Sequence, residues 1–119
     1  MKEQIKTFED ACKVLNLNAS EVLPIVSSFP EKHQKSLIAN AKLTLITEAL
    51  NAGWKPDYSN YDEVKHFPWF DYSSGWSCLG YGCARTATGV GPRLVFKTRE
   101  LAEYSGKQFI KLYNDLFTL

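Results

Sequence analysis

The sequence predicts an α+β fold: N-terminal helices, an antiparallel sheet of about three strands, and a C-terminal helix packed on one sheet face. Three observations lead there. Apolar residues recur at helical spacing in the first half of the chain. The segment from Trp54 to Tyr81 holds nine of the sixteen aromatic residues, interrupted by Gly, Ser and Pro, and rings favour a pleated, half-buried surface. Helical spacing then returns and runs to the end of the chain. The 119 residues fit a single domain. Its helical part spans about 7–53, its sheet part about 64–97 and its C-terminal helix about 98–118.

The first helix begins after Thr7, whose hydroxyl can cap it, with Glu9 and Asp10 in the first turn. Phe8, Ala11, Cys12 and Leu15 make its apolar stripe, and Asn16 can end it in the left-handed conformation. Asn18 and Glu21 have capping-box spacing, so a second short helix is expected, bent or ended by Pro24. Pro30 suits the first position of a third helix. There Leu37, Ile38, Ala41, Leu45, Ala49 and Leu50 form one stripe, which Leu43 and Ile46 widen. A helix apolar over so much of its girth is expected at the centre of the core, with Gly53 as its terminator.

Pro56, Asp57, Ser59 and Asn60 are loop formers. Residues 65–72 fit a strand, and Pro68, which has no amide to donate, places that strand at an edge or beside a bulge. Ser73-Ser74-Gly75 marks a turn. Short strands are expected over 76–81 and 83–88, a turn at Gly89-Val90-Gly91-Pro92, and a compact strand over 93–97. In that last strand Leu94 and Phe96 share one face, and Arg93, Val95 and Lys97 share the other, outward one. Thr98 caps the closing helix, whose inner stripe is Leu101, Ala102, Ser105, Phe109, Leu112 and Leu116, flanked by Tyr113 and Phe117. Gly106 inside a helix implies close approach to the sheet.

Composition narrows the function classes. Hydrophobic residues make up 45% and charged residues 23% of the chain, which excludes a disordered chain. No apolar run is long enough to span a bilayer, so no membrane partner is expected. The net charge of +1 does not indicate a broadly basic nucleic-acid binder, although residues 83–119 carry six basic and three acidic groups. Residues 1–6 open on charge without reaching an apolar signal core, and Cys12, Cys78 and Cys83 are odd in number. A cytoplasmic location with reduced thiols is therefore expected.

Several stretches carry a resemblance. Gly53-Trp54-Lys55-Pro56-Asp57-Tyr58 followed by residues 65–70, the run 90–104 with Gly106-Lys107-Gln108-Phe109, and the opening Thr7-Phe8-Glu9-Asp10-Ala11-Cys12 resemble an uncharacterised family of small proteins. That family occurs in Bacteroides-type gut bacteria and their crAss-like phages. The similarity runs from about residue 7 to residue 117 and is weak between Asp71 and Thr88. Where the family tends toward Gly-Ser before the arginine, this chain has Pro92. The resemblance implies a phage or mobile-element context and transfers no activity and no catalytic residue.

Chemical signatures are sparse. Cys78 and Cys83 form one C-x₄-C pair without a second knuckle, so two reduced cysteines explain them better than a metal site. His33 and His66 are the only imidazoles, and no spacing couples either to a cysteine nucleophile. Gly89-Val90-Gly91 precedes a proline and a strand, not a helix, so no cofactor fingerprint is present. Thr98 between Lys97 and Arg99 is a weak candidate for anion binding at a helix start. Cys12, Leu15, Leu17 and Val22 fall near the apolar positions of a helix-turn-helix with Asn16 at the turn, but the second helix has no Lys or Arg.

The sheet is more informative. Phe67, Trp69, Phe70, Tyr72, Trp76 and Tyr81 are too many rings for one side of a small sheet, unless helices cover both faces and bury them as core. Exposed rings beside cations would form a platform on which unpaired bases stack. The expectation is therefore a non-enzymatic binding protein without a cofactor. Trp69, Tyr72 and Trp76 would stack bases of single-stranded nucleic acid, and Arg85, Arg93 and Lys97 would hold its phosphates. The alternative is a protein-interaction or assembly module using the same rings, possible also as a homo-oligomer.

Overall fold

The computed structural model describes residues 2–119; Met1, which opens the charged N-terminal stretch, lies outside them. The chain is α+β, with four α-helices and one two-stranded antiparallel sheet among the described residues. Helix α1 (Phe8–Val14) is fixed by a reciprocal cap: Thr7 Oγ1 accepts from the Asp10 amide, and the Asp10 carboxylate accepts from the Thr7 amide. Asn16 ends it at φ 60°. The expected second helix does not form. Asn18 Oδ1 takes the amide and the hydroxyl of Ser20 at 3.1 and 2.8 Å, so the side chain closes a local turn in place of a helical cap. The helix-turn-helix arrangement fails with it. Ala19, Val22 and Leu23 still pack against the core from this loop.

Helix α2 (Glu31–Asn51) follows Pro30, which precedes the helix rather than occupying its first turn. Burial begins at Ala39 and continues through Leu43, Ile46, Thr47, Ala49, Leu50 and Asn51. The first turns, with Glu31, Lys32, His33 and Lys35, are exposed, so only the C-terminal half is central. Ala52 at φ 50° and Gly53 at φ 92° stop it.

Strands β1 (Lys65–Tyr72) and β2 (Trp76–Ala84) form a hairpin closed by Ser73–Gly75. Its pairing runs from Lys65 opposite Ala84 to Tyr72 opposite Trp76. Trp69 faces Gly80 and Phe70 faces Cys78, which leaves Leu79 as the extra residue of a bulge one step past Pro68. The short strands expected over 76–81 and 83–88 are replaced by one strand that ends at Ala84, because the ladder to β1 continues past Gly80, which takes φ 146° at the bulge, and past Gly82.

The third strand is also absent. Segment 93–97 meets β1 only at His66, through reciprocal bonds with Phe96 of 3.0 and 2.6 Å. Its other side is held by Asn51, whose carboxamide donates to the Val95 carbonyl at 2.9 Å and accepts from the Lys97 amide at 3.1 Å. One side chain thus replaces a neighbouring strand. Leu94, Val95 and Phe96 are all buried, so the expected outward face of Arg93, Val95 and Lys97 does not exist; Val95 turns toward α2.

The closing helix is two helices, α3 (Arg99–Gln108) and α4 (Ile110–Phe117), broken at Phe109. The break follows Ser105-Gly106, a pair that favours kinks. Gly106 lies directly on the hairpin: a Cβ there would stand 2.7 Å from Pro68 Cβ and 2.5 Å from Cys78 Sγ. The buried hydroxyls of Ser105 and Tyr113 meet at 2.9 Å and tie the two helices together across the break. The core gathers Ile5, Phe8, Leu43, Ile46, Leu50, Leu94, Phe96, Phe109 and Tyr113. The molecule exposes 7450 Å², above the roughly 6,500 Å² expected for this mass.

Candidate functional site

The six residues singled out in the sequence fall into separate places. Trp69 and Tyr72 stand on β1 and are 56% and 63% exposed. Trp76, at the start of β2, is half-buried and packs edge-on to Tyr72 and to Phe117, with ring centroids at 5.3 and 5.1 Å. Tyr72 and Trp76 thus meet at the closed end of the hairpin, while Trp69, opposite Gly80, packs against Phe67 with ring centroids at 6.4 Å. Phe70 closes the inner side of the group against Tyr113 and Phe117, at 4.7 and 5.2 Å. Tyr81 is partly exposed farther along β2, and Phe67 is buried. The sheet thus divides its rings, burying some and presenting others.

Gly82 makes room for Trp69. Gly80 and Gly82 lie opposite Trp69 and Phe67 in the register. A Cβ on Gly82 would come within 2.5 Å of the Phe67 ring and 3.2 Å of the Trp69 ring. The bare backbone therefore lets both rings lie across β2. Leu79, set outward by the bulge, is 65% exposed beside them. Sequence reasoning missed Leu79, since only the register reveals the bulge.

The cations are elsewhere. Arg85 follows the last residue of β2, about 30 Å from Trp76 at some 3.3 Å per residue. Its guanidinium lies 5.3 Å from the Tyr61 ring and donates to the Tyr61 carbonyl at 3.4 Å. Lys97 is exposed at the point where Asn51 grips its amide. Arg93 lines a separate cleft. From Phe67 to Ala84 the only charged residue is Asp71. The cations near Thr98 do not leave that helix start open: Thr98 caps Leu101, and Arg99 lies 5.8 Å from the Tyr81 ring and 3.7 Å from Glu100. Tyr81, the largest influence, holds the Arg99 pKa above its ordinary value.

The cleft that Arg93 lines has a volume of about 550 Å³. One wall is the C-terminal half of α2, with Thr44, Thr47, Glu48 and Asn51; the other is Trp54, Lys55, Pro56 and Tyr58, with Pro92, Arg93 and Val95 alongside. The 54–64 loop is shaped by Lys65, which has no exposed surface. Its ammonium donates to the carbonyls of Asp57 and Arg85 at 2.6 Å, Glu63 at 3.0 Å and Asn60 at 3.3 Å. It also stands 5.0 Å from the Tyr58 ring. The Glu63 carboxylate accepts from the Asp57 amide at 2.7 Å. That bond, reinforced by Lys65 and the Trp54 side chain, holds its pKa below the ordinary carboxyl value.

Cys12 is buried in α1 and its thiol pKa is raised by that burial, while Cys78 lies under Gly106 and Cys83 is exposed. Among the described residues no helix is long and apolar enough to cross a membrane. No protein-family model, no curated protein and no solved structure matches the chain.

Proposed function

We propose that the protein is a non-enzymatic interaction module that associates through the β1–β2 hairpin, and that the hairpin's partner is a second copy of the same chain. The observation that carries this is the outer edge of β2. Among the described residues it has no strand partner, and its nine residues include no charge and no proline. Soluble proteins blunt such edges with lysine, proline or short length. Here the edge adjoins exposed Trp69, Tyr72 and Leu79, ring-rich surface of the kind found at the centre of interfaces. An antiparallel pairing of two β2 strands about a two-fold axis would give a four-stranded sheet with twinned apolar patches. A net charge of +1 puts little repulsion between the copies.

Single-stranded nucleic acid fits this surface less well, because the stretch from Phe67 to Ala84 that bears the rings has Asp71 as its only charge, while Arg85, Arg93 and Lys97 lie outside both strands. Sedimentation velocity over a wide concentration range tests the proposal. A monomer–dimer equilibrium is expected, shifted to monomer by Leu79→Lys or Ser77→Lys with the fold intact by circular dichroism. A strict monomer at every concentration would overturn it.

A further inference from the structure

We propose that the cleft between α2, the 54–58 loop and the 92–95 segment binds a nucleoside 5′-phosphate, either free or at the end of a single strand. This is independent of the hairpin. The volume of about 550 Å³ lies within the range of small-molecule sites, and both walls are built in advance. Lys65 and Glu63 fix the loop bearing Trp54 and Tyr58, and Asn51 fixes the segment bearing Arg93. A site whose walls are already ordered loses little entropy on binding.

The lining specifies the ligand. Lys55 and Arg93 are exposed cations at the cleft. Among the described residues neither Lys55 nor Arg93 has an acidic side chain within ion-pair distance. Two such cations suit a phosphate, which Arg can grip with two parallel bonds. Trp54 and Tyr58 bring two aromatic rings to the lining, one face of Tyr58 being covered by the Lys65 ammonium at 5.0 Å, and such rings suit a base. Glu48 would repel a simple acid but accepts from sugar hydroxyls or an exocyclic amine. A ligand with an anionic end, a flat ring and hydrogen-bond donors matches all of these.

Thr47 supplies the independent sign. It is 2% exposed, borders the cleft, and its hydroxyl has no hydrogen-bond partner among the described residues. Three residues earlier, Thr44 bonds back to the Asn40 carbonyl at 2.8 Å, the usual resort of a helical threonine. Thr47 forgoes it. Helical threonine moves readily between two rotamers, so a ligand group at the cleft floor can recruit this hydroxyl.

Protein-observed NMR titration of the full chain with AMP and UMP tests the assignment, with inorganic phosphate and uridine as controls. Saturable shifts at Thr47, Trp54 and Arg93 are expected, with each nucleotide binding more tightly than phosphate or uridine. Arg93→Ala should weaken binding about tenfold. Thr47→Val, which removes the unpaired hydroxyl, should weaken it several-fold while raising the melting temperature. That opposite pair of effects separates a ligand contact from a merely structural one. A 5′-phosphorylated trinucleotide binding more tightly than AMP would name the strand end as the natural source, and weaker binding would name the free nucleotide. No shift with either nucleotide at millimolar concentration would overturn the proposal, as would equal binding of phosphate alone or full affinity in Arg93→Ala.

Discussion

The Lys65 ammonium lies 3.3 Å from the Glu63 carboxylate, and both groups are engaged by loop backbone. Lys65 binds four carbonyls while Glu63 binds the Asp57 amide, so the pair acts as the frame of the 54–64 loop. Lys65→Met removes every donor at once and leaves the carboxylate and the carbonyls without their cation. A loss of about 1–3 kcal/mol is expected, the penalty for leaving backbone carbonyls without their donor, since Glu63 itself is partly exposed. Urea titration should show a lower midpoint with an unchanged slope. Lys65→Arg should not restore it, since a planar fork cannot reproduce the compact geometry of the ammonium.

The same frame is acid-sensitive. The Glu63 pKa is held below its ordinary 4.5, first by the Asp57 amide and then by Lys65 and Trp54. A depressed carboxyl contributes stability that is fully present above the unfolded value and is lost as pH falls through the folded one. The loop should therefore loosen only in acid below about pH 4.5, with little change between that point and neutrality. Hydrogen exchange of the Asp57 amide, followed on acidification, checks this. Glu63→Gln keeps an acceptor for the Asp57 amide but cannot titrate, so its exchange profile should lose the step at acid pH.

Asn51 makes a comparable prediction. Its carboxamide gives one bond and takes one, to Val95 and Lys97, so no other side chain of its size meets both ends. Asn51→Asp keeps the acceptor for Lys97 but sets a carboxylate against the Val95 carbonyl. Asn51→Leu leaves both backbone groups unpaired. Each should cost about 1–3 kcal/mol, the penalty for orphaning a buried polar group. Chemical denaturation read by tryptophan fluorescence measures it.

These two side chains also explain what the sequence concealed. Thr7, Asn16, Thr98 and Gly106 act through local rules, so the caps and the close helix–sheet approach were legible. The excess of rings over one sheet face was legible as well, since Trp69 and Tyr72 do lie outside. The third strand was misread because the apolar content of segment 93–97 comes from burial against α2 and β1 together, with Asn51 standing in for a strand. Lys65 and Asn51 looked like an ordinary strand residue and a helix end. Their partners lie up to 46 positions away, and no periodicity encodes that. Trp54, Tyr58 and Thr47 gave no sign of a shared cleft for the same reason.

Gly106→Ala tests whether packing or propensity governs α3. In an exposed helix interior the change gains about 1 kcal/mol. Here the added methyl meets Cys78 Sγ at 2.5 Å and Pro68 Cβ at 2.7 Å. The proline ring is fixed in β1 and cannot yield, so the helix must lift from the hairpin. The sign should reverse to a loss of about 1–3 kcal/mol, the range for overpacking. Cys78→Ala in the same chain removes the sulfur contact and leaves the one to Pro68, so it should recover only part of the loss. Thermal denaturation of the two single variants and the double variant measures this coupling. A Gly106→Ala protein as stable as the parent would mean that α3 does not bear on the hairpin as closely as these distances require.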